Sequence, residues 1–242
     1  MLKIESLTKK YQRGERYALN YLTLETKPGE IFGLVGSNGA GKTTLIKCIT
    51  GILPFEEGKI EICGADIVAD PFNAKSNIGY VPDDHAVFEM LTCREYVNFI
   101  ADVYKVSEEE RTERFNEFLQ AFCMQQAADK LIHKFSHGMK QKTAVMGALI
   151  HEPKLWILDE PMIGLDPQSI YELKQIIKKH RDKGNTVIFS THLLDVAEKL
   201  CDRVAIISQG NLCAVCDMKE VGESGKTLED LFVMHTGGEI RV

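Results

Sequence analysis

The 242-residue sequence has no run of basic residues, and its 29 lysines and arginines are outnumbered by 35 aspartates and glutamates. The net charge of −6 argues against a general nucleic-acid-binding protein, which usually carries a basic stripe. Long apolar runs are also missing, since no stretch approaches the roughly 18 apolar residues that cross a bilayer. Residues 1–5 enter a strand-like pattern at once, so we expect neither a signal peptide nor a membrane span.

Paired cysteines of the kind that hold zinc or build a disulfide framework are scarce as well. The seven cysteines are scattered, and Cys213 and Cys216 have redox or zinc spacing without a second cysteine or histidine pair. We therefore expect reduced thiols in or near the core. Internal repeats are absent, and a hydrophobic fraction of 44% is ordinary for one globular core with a small second lobe.

The hydrophobic pattern predicts an α/β fold. Unbroken apolar strands alternate with amphipathic helices, which is typical of a mostly parallel sheet covered on both faces. Residues 2–7 and 18–26 alternate in polarity instead, and they predict an antiparallel sheet beside the loop that follows the first core strand. Capping boxes at Thr92 and Ser107 predict a helical insert from about residue 84 to residue 134. The predicted core strands are 31–35, 78–82, 155–158, 186–189 and 204–207.

The most informative segment follows the first core strand and precedes a predicted helix. It has the spacing of a phosphate-binding loop: Gly36, Ser37, Asn38, Gly39, Ala40, Gly41, Lys42, Thr43 and Thr44. The glycines let backbone N–H groups approach an anion, and the helix adds its positive end. Lys42 can reach the β- and γ-phosphates, and the Thr43 hydroxyl can bind Mg²⁺. The segment therefore predicts nucleoside triphosphate binding rather than an ordinary surface turn.

Polar side chains follow two further core strands, at the edge where open α/β sheets bind ligands. Asp159 and Glu160 come directly after strand 155–158. We expect Asp159 to hold Mg²⁺, directly or through water, and Glu160 to act as general base toward the attacking water. His192 follows strand 186–189, where it can donate a hydrogen bond to the γ-phosphate.

Ser136 and Gly138 lie just before another predicted helix. Free N–H groups and the helix dipole make such an N-terminus a second anion site. One chain cannot use two such sites on one γ-phosphate unless they face each other, so a second subunit could supply this one in trans.

The order of these motifs resembles that of the ATP-binding subunit of an ATP-binding cassette (ABC) transporter. The resemblance covers nearly the whole chain and rests on the phosphate loop, the signature-like segment 136–141, the Asp159-Glu160 pair, residues 164–166 and His192. Residues 139–141 and 228–232 resemble the branch that pairs with ABC-2-type membrane proteins, which are mostly exporters.

The resemblance implies an ATPase that uses ATP and Mg²⁺ on a P-loop NTPase core with a mostly parallel sheet. Residues 1–83 and 136–210 would form this core with its antiparallel part. Residues 84–135 would be the helical subdomain that contacts the membrane partner, and 211–242 a tail with a short helix. Two subunits, by expectation identical, would dimerise head to tail, with each ATP between the phosphate loop of one and the signature loop of the other. Integral membrane permease subunits, and no nucleic acid, would hold the protein at the cytoplasmic face of the cell membrane.

At three positions the resemblance leaves two alternatives open. Tyr11 matches the family's aromatic position that stacks on adenine; the alternative is a half-buried tyrosine at a strand end. Asp83 stands where the family usually has a glutamine near Mg²⁺, so it either ligates the metal or turns away and leaves the metal to Thr43 and waters. His137 replaces a signature glycine and either crowds the partner's ATP or points to solvent.

Two other functions fit parts of the sequence. A soluble ABC-type ATPase acting on nucleic acid or ribosomes would usually have two cassettes, long coiled coils or basic extensions, and this sequence has none of them. A phosphate-loop kinase has no use for a second phosphate-binding helix. The resemblance therefore favours a subunit that dimerises on ATP and drives export through separate membrane proteins.

Overall fold

A computed structural model describes residues 1–11, 17–84 and 87–237. The strands are β1 (Leu2–Lys10), β2 (Tyr17–Glu25), β3 (Ile31–Val35), β4 (Glu57–Ile62), β5 (Ala65–Asp66), β6 (Ile78–Val81), β7 (Leu155–Leu158), β8 (Thr186–Thr191), β9 (Arg203–Ser208) and β10 (Asn211–Asp217). The helices are α1 (Lys42–Ile49), α2 (Pro71–Ser76), α3 (Cys93–Val103), α4 (Glu108–Ala121), α5 (His137–Leu149), α6 (Pro167–Asp182), α7 (Leu194–Leu200), α8 (Met218–Glu223) and α9 (Leu228–Thr236).

The strands form two sheets, as the polarity pattern predicts. The smaller sheet is antiparallel, with the order β2-β1-β4-β5. The larger sheet has the order β10-β9-β3-β8-β7-β6, and all its neighbouring pairs are parallel except β10 with β9. This arrangement is the predicted α/β fold, with an antiparallel sheet beside a mostly parallel one.

The parallel strands are apolar except at their ends because both faces of the larger sheet are covered. Alternate residues of β3 enter two different clusters of buried side chains: Ile31 and Val35 enter one, and Phe32 and Leu34 the other. The strands thus read as continuous hydrophobic runs, and their polar residues are confined to the ends.

The register of the sheet brings the predicted site residues to one edge. Val35 pairs with Thr191, and Leu158 pairs with Phe189. The phosphate loop after β3, the carboxylates after β7 and the histidine after β8 therefore leave adjacent strands at their carboxyl ends. Ligands bind at this edge in open α/β sheets.

The predicted helical insert is present as α3 and α4. Both predicted capping boxes are formed, by Thr92 with Glu95 and by Ser107 with Glu110. The inward faces are those expected from the 3.6-residue period, for example Val97 and Ala101 on α3 and Phe115 and Leu119 on α4. No helix in the described parts of the chain is long and apolar enough to cross a membrane.

The carboxyl-terminal segment differs from the predicted tail. Within residues 211–237 the structure has an edge strand of the larger sheet, β10, as well as the two helices α8 and α9. Cys213 and Cys216 lie on this strand, and all seven cysteines are free thiols. Cys63 and Cys123 are exposed, so the expectation that the thiols lie in or near the core is wrong for these two.

Candidate active site

The phosphate loop enters α1 without a side-chain cap. Gly41 is the N-cap residue, no side chain accepts a hydrogen bond there, and the first turn carries no acidic residue. Backbone N–H groups at a helix start have no partner within the helix, so those of α1 are left for an external anion. The Lys42 ammonium donates to the carbonyls of Gly36 at 2.7 Å and Ser37 at 3.3 Å, which folds the loop back over the start of the helix.

Gly36 shows why the loop begins with a glycine. A Cβ atom at this position would lie 2.3 Å from the Ile207 carbonyl oxygen and 2.9 Å from the Ala40 Cβ. Real Cβ atoms do not come so close to backbone, so any side chain here would push the loop away from β9.

Glu160 is the point where the three predicted catalytic side chains meet. One carboxylate oxygen lies 3.4 Å from the Lys42 ammonium, and the other lies 3.1 Å from Nδ1 of His192. The backbone of Glu160 has a φ of 45°, which is unusual for a residue with a side chain. Such backbone strain persists only where the surroundings hold it, and the Glu160 N–H donates to the Ser190 hydroxyl at 2.9 Å.

Asp159 lies deeper, with an exposed fraction of 1%. Its Oδ1 accepts a hydrogen bond from the Ser190 hydroxyl at 2.5 Å, while Oδ2 has no hydrogen-bond partner among the described residues. Burial raises the pKa of the Asp159 carboxyl, and the hydroxyls of Ser190 and Thr43 oppose this effect. A buried carboxylate oxygen without a donor suits a hydrated Mg²⁺ ion, because the metal or its water would satisfy it.

Ser190 is a site residue that sequence reasoning missed. Its hydroxyl joins the Asp159 carboxylate to the Glu160 backbone, so it sets the position of both acids. A signal was available, since Ser190 and Thr191 follow the apolar residues 187–189 of a buried strand, at the edge of the sheet where ligands bind.

The site opens into a cleft of about 950 Å³. Its lining includes most of the predicted ligand-binding residues: Tyr11, Asn38, Gly39, Ala40, Gly41, Lys42, Thr43, Thr44, Asp83, Glu160 and His192. The Tyr11 hydroxyl lies 3.2 Å from the Thr44 hydroxyl at the cleft edge. The sequence predicted an antiparallel sheet beside the site but named no residue of the other wall. That wall is lined by residues of β2 and of the β9–β10 turn: Tyr17, Ala18, Asn20, Gln209, Gly210 and Asn211.

The signature-like segment is built differently from the phosphate loop. The Ser136 hydroxyl accepts a hydrogen bond from the Met139 N–H at 3.3 Å and so caps α5. Ser136 and Gly138 are not among the described residues that line the cleft, whereas His137 is. His137 is exposed, yet its Nε2 lies 3.3 Å from the carbonyl oxygen of Ile163 in the same chain. Neither predicted position of His137 describes this contact.

The fold and the site define a P-loop NTPase. Residues 19–163 match the family described as ABC transporter. The chain is 34% identical over 237 residues to the ABC-type transporter ATP-binding protein EcsA of Bacillus subtilis, covering 96% of this chain and 95% of that protein. It is 37% identical to the linearmycin resistance ATP-binding protein LnrL of the same organism, covering 89% of this chain and 68% of that protein.

Solved structures agree with the sequence comparisons. A structure described as the ATP-binding subunit of an ABC transporter aligns with a TM-score of 0.91 at 32% identity, covering 97% of this chain and 98% of that one. A dimeric ATP-binding cassette in a post-hydrolysis state, bound to ADP and Pi, aligns with a TM-score of 0.81 at 27% identity over 90% of this chain and 99% of that one. The chain belongs to the ABC transporter family, as one of its ATP-binding subunits.

Proposed function

We propose that this subunit hydrolyses ATP with Mg²⁺ in the cleft, and that two copies close on ATP to drive export through separate integral membrane subunits. The observation that carries the proposal is the meeting of Lys42, Glu160 and His192 beside an uncapped helix N-terminus. An anion-binding loop, a general base and a hydrogen-bond donor in one place are what phosphoryl transfer to water requires.

Each part of the cleft has a role in this proposal. Tyr11 stacks on the adenine at the open end of the cleft, and the loop 36–44 binds the phosphates. Oxygen atoms of Thr43, Asp83 and Asp159 would hold Mg²⁺, directly or through water. When bound, the metal neutralises charge on the β- and γ-phosphates.

Glu160 takes the proton of the attacking water. Without nucleotide its two carboxylate oxygens face Lys42 and His192. A γ-phosphate offers both of these donors another anion, which leaves the carboxylate for the water. Lys42 and His192 then stabilise charge on the transferring phosphoryl group.

The N-terminus of α5 completes the site of a second copy. Ser136 and Gly138 lie outside the cleft of their own chain, and their helix start supplies N–H groups for an anion. The dimeric relative bound to ADP and Pi supports this assembly. The linearmycin resistance relative and the bacitracin transport ATP-binding protein BcrA of Bacillus licheniformis support export. The protein then works peripherally at the cytoplasmic face of the cell membrane.

Glu160→Gln tests the proposal. Removing the general base should lower ATP turnover by about 10²- to 10³-fold, while MgATP still binds and still brings two subunits together. Phosphate release and light scattering with MgATP measure the two effects. Glu109→Gln, at an exposed position in the first turn of α4, is the control and should leave both unchanged. Wild-type turnover in Glu160→Gln would contradict the assigned role.

A further inference from the structure

Two side chains on one face of α5 reach the loop that follows Glu160. His137 Nε2 lies 3.3 Å from the carbonyl oxygen of Ile163, and the Gln141 amide donates to the carbonyl oxygen of Pro161 at 3.3 Å. Residues four apart lie above one another on a helix, so the two side chains form neighbouring contacts with carbonyls two residues apart. A carbonyl only accepts, so Nε2 of His137 carries the proton in this contact.

Gly164 gives independent support for this contact. A Cβ at Gly164 would lie 2.9 Å from Nε2 and 3.1 Å from Cδ2 of His137, and all three of its nearest neighbours belong to that ring. The imidazole therefore packs against the backbone of residue 164 as well as bonding to residue 163. A glycine at this position leaves room for the ring.

Gln141 lies one turn after His137 on α5, and its side chain is buried. It has an exposed fraction of 2%, and its Oε1 has no hydrogen-bond partner among the described residues. Its bond to the Pro161 carbonyl is therefore made inside the protein, next to Glu160 itself. A buried amide is held by such bonds because leaving its donor unpaired costs free energy.

The contacts of His137 and Gln141 affect catalysis in the proposed mechanism because the loop that they hold begins at Glu160, whose backbone is strained. The φ of 45° at Glu160 needs support from both sides, and Ser190 supplies it only from β8. His137 and Gln141 supply it from α5. The same helix start carries Ser136 and Gly138, which the proposed dimer directs at the partner's nucleotide.

We infer that His137 is a positioning residue, which together with Gln141 ties the loop after Glu160 to the N-terminus of α5. The inference rests on the proposed function, in which the N-terminus of α5 contacts the partner's nucleotide in the ATP-bound dimer. Docking of α5 on the partner's phosphate then also fixes Glu160 of its own chain. The histidine that replaces a signature glycine thus connects the N-terminus of α5, which faces the partner's nucleotide, to Glu160 of its own chain.

Paired substitutions test the link. The amide nitrogen of Gln reaches the position of imidazole Nε2, whereas the shorter Asn reaches only that of Nδ1. His137→Asn should lower kcat by about tenfold with KM for MgATP changed by less than about twofold, and His137→Gln should restore kcat to within about twofold of wild type. A higher KM at unchanged kcat in both variants would instead assign His137 to contact with nucleotide, and wild-type kinetics in both would remove the link.

Hydrogen exchange without nucleotide separates this inference from the proposed function. The Ile163 N–H donates to the Glu160 carbonyl at 3.3 Å inside the tethered loop. Its exchange should be about tenfold faster in His137→Asn and unchanged in His137→Gln. This readout does not depend on hydrolysis, so a wild-type protein that fails to hydrolyse ATP would overturn the proposed function alone. Equal exchange in both variants would overturn the link alone.

Discussion

Helices α1 and α5 both begin at a polar loop near the site, but their N-termini differ. Gly41 precedes α1 and provides no side-chain cap, whereas the Ser136 hydroxyl accepts a hydrogen bond from the first turn of α5. Lys42 lies beside the uncapped start with an exposed fraction of 6%, while Ser136 is exposed outside the cleft. One terminus is thus enclosed by its own chain and the other is presented outward.

This difference determines what each N-terminus can bind within a single chain. A helix start leaves about four N–H groups without intrahelical partners. Those of α1 lie beside a cleft lined by the buried Lys42 side chain, so a single chain has both N–H groups and a positive charge for a phosphate. Those of α5 are partly satisfied by Ser136, and neither Ser136 nor Gly138 is among the described residues that line the cleft, so we expect this terminus to bind a ligand only against another surface.

Lys42→Ala should weaken phosphate binding at the N-terminus of α1, and it should reduce MgATP binding and turnover more than any other substitution described below. Loss of a charged donor to phosphate should weaken MgATP binding by about 10- to 100-fold and lower turnover by about 10²- to 10³-fold. Calorimetry and phosphate release measure these changes. Lys47→Ala, in the last turn of the same helix, is the matched control and should bind MgATP normally. Equal affinity of Lys42→Ala and wild type would show that α1 is not the phosphate site.

The far ends of the two helices also differ, and this predicts a response to acid. After α1 the Thr50 hydroxyl donates to the Ile46 carbonyl, and this bond does not titrate. After α5, His151 stacks on Tyr104 with ring centroids 3.6 Å apart and contacts the Ile78 carbonyl through Nε2 at 3.0 Å. Burial lowers the pKa of His151 to about 4. Its Nδ1 has no hydrogen-bond partner among the described residues, so a second proton there would have no acceptor.

The sign of the effect follows from this lowered pKa. The folded protein favours neutral His151, whereas the unfolded chain binds a proton at the ordinary pKa of about 6.5. The free energy of unfolding is therefore highest above pH 6.5, and it falls as the pH drops from 6.5 towards 4. His151 should contribute on the order of 2–3 kcal/mol to the loss. Urea unfolding between pH 7 and 4 measures it, and His151→Gln should flatten the slope. An unchanged slope in that variant would show that His151 does not titrate with unfolding.

The sequence predicted the regions whose chemistry is local. The phosphate loop, the two capping boxes and the polar ends of β7 and β8 each depend on a few adjacent residues, and the structure has them in place. The meeting of Lys42, Glu160 and His192 also followed, because the carboxyl ends of parallel strands share one edge. The roles assigned to these side chains stay predictions.

What could not be predicted depends on contacts between distant segments. Strand β10 was missed because its residues are only half-buried at a sheet edge and show no clean apolar alternation. Its hairpin turn has positive φ at Gln209 (48°) and Gly210 (79°). Asn-Gly is the usual sequence for such a turn, so Gln-Gly predicts it less clearly. The contact of His137 with Ile163 joins residues that are 26 apart in the sequence, so no local sequence pattern predicts it.

Ser136→Ala should have a smaller effect than the other substitutions, because it removes only the cap of α5. Loss of the cap should destabilise the subunit by about 1 kcal/mol, and Ser107→Ala, which removes the corresponding cap of α4, should cost a similar amount. MgATP affinity of the single subunit should be unchanged in both variants, because α1 is intact. Only Ser136→Ala should weaken MgATP-dependent dimerisation, by about tenfold, since only α5 meets the partner's phosphate. Thermal unfolding, calorimetry and sedimentation measure the three properties. Equal dimerisation of the two variants would mean that the N-terminus of α5 is an ordinary capped helix start and not half of a binding site.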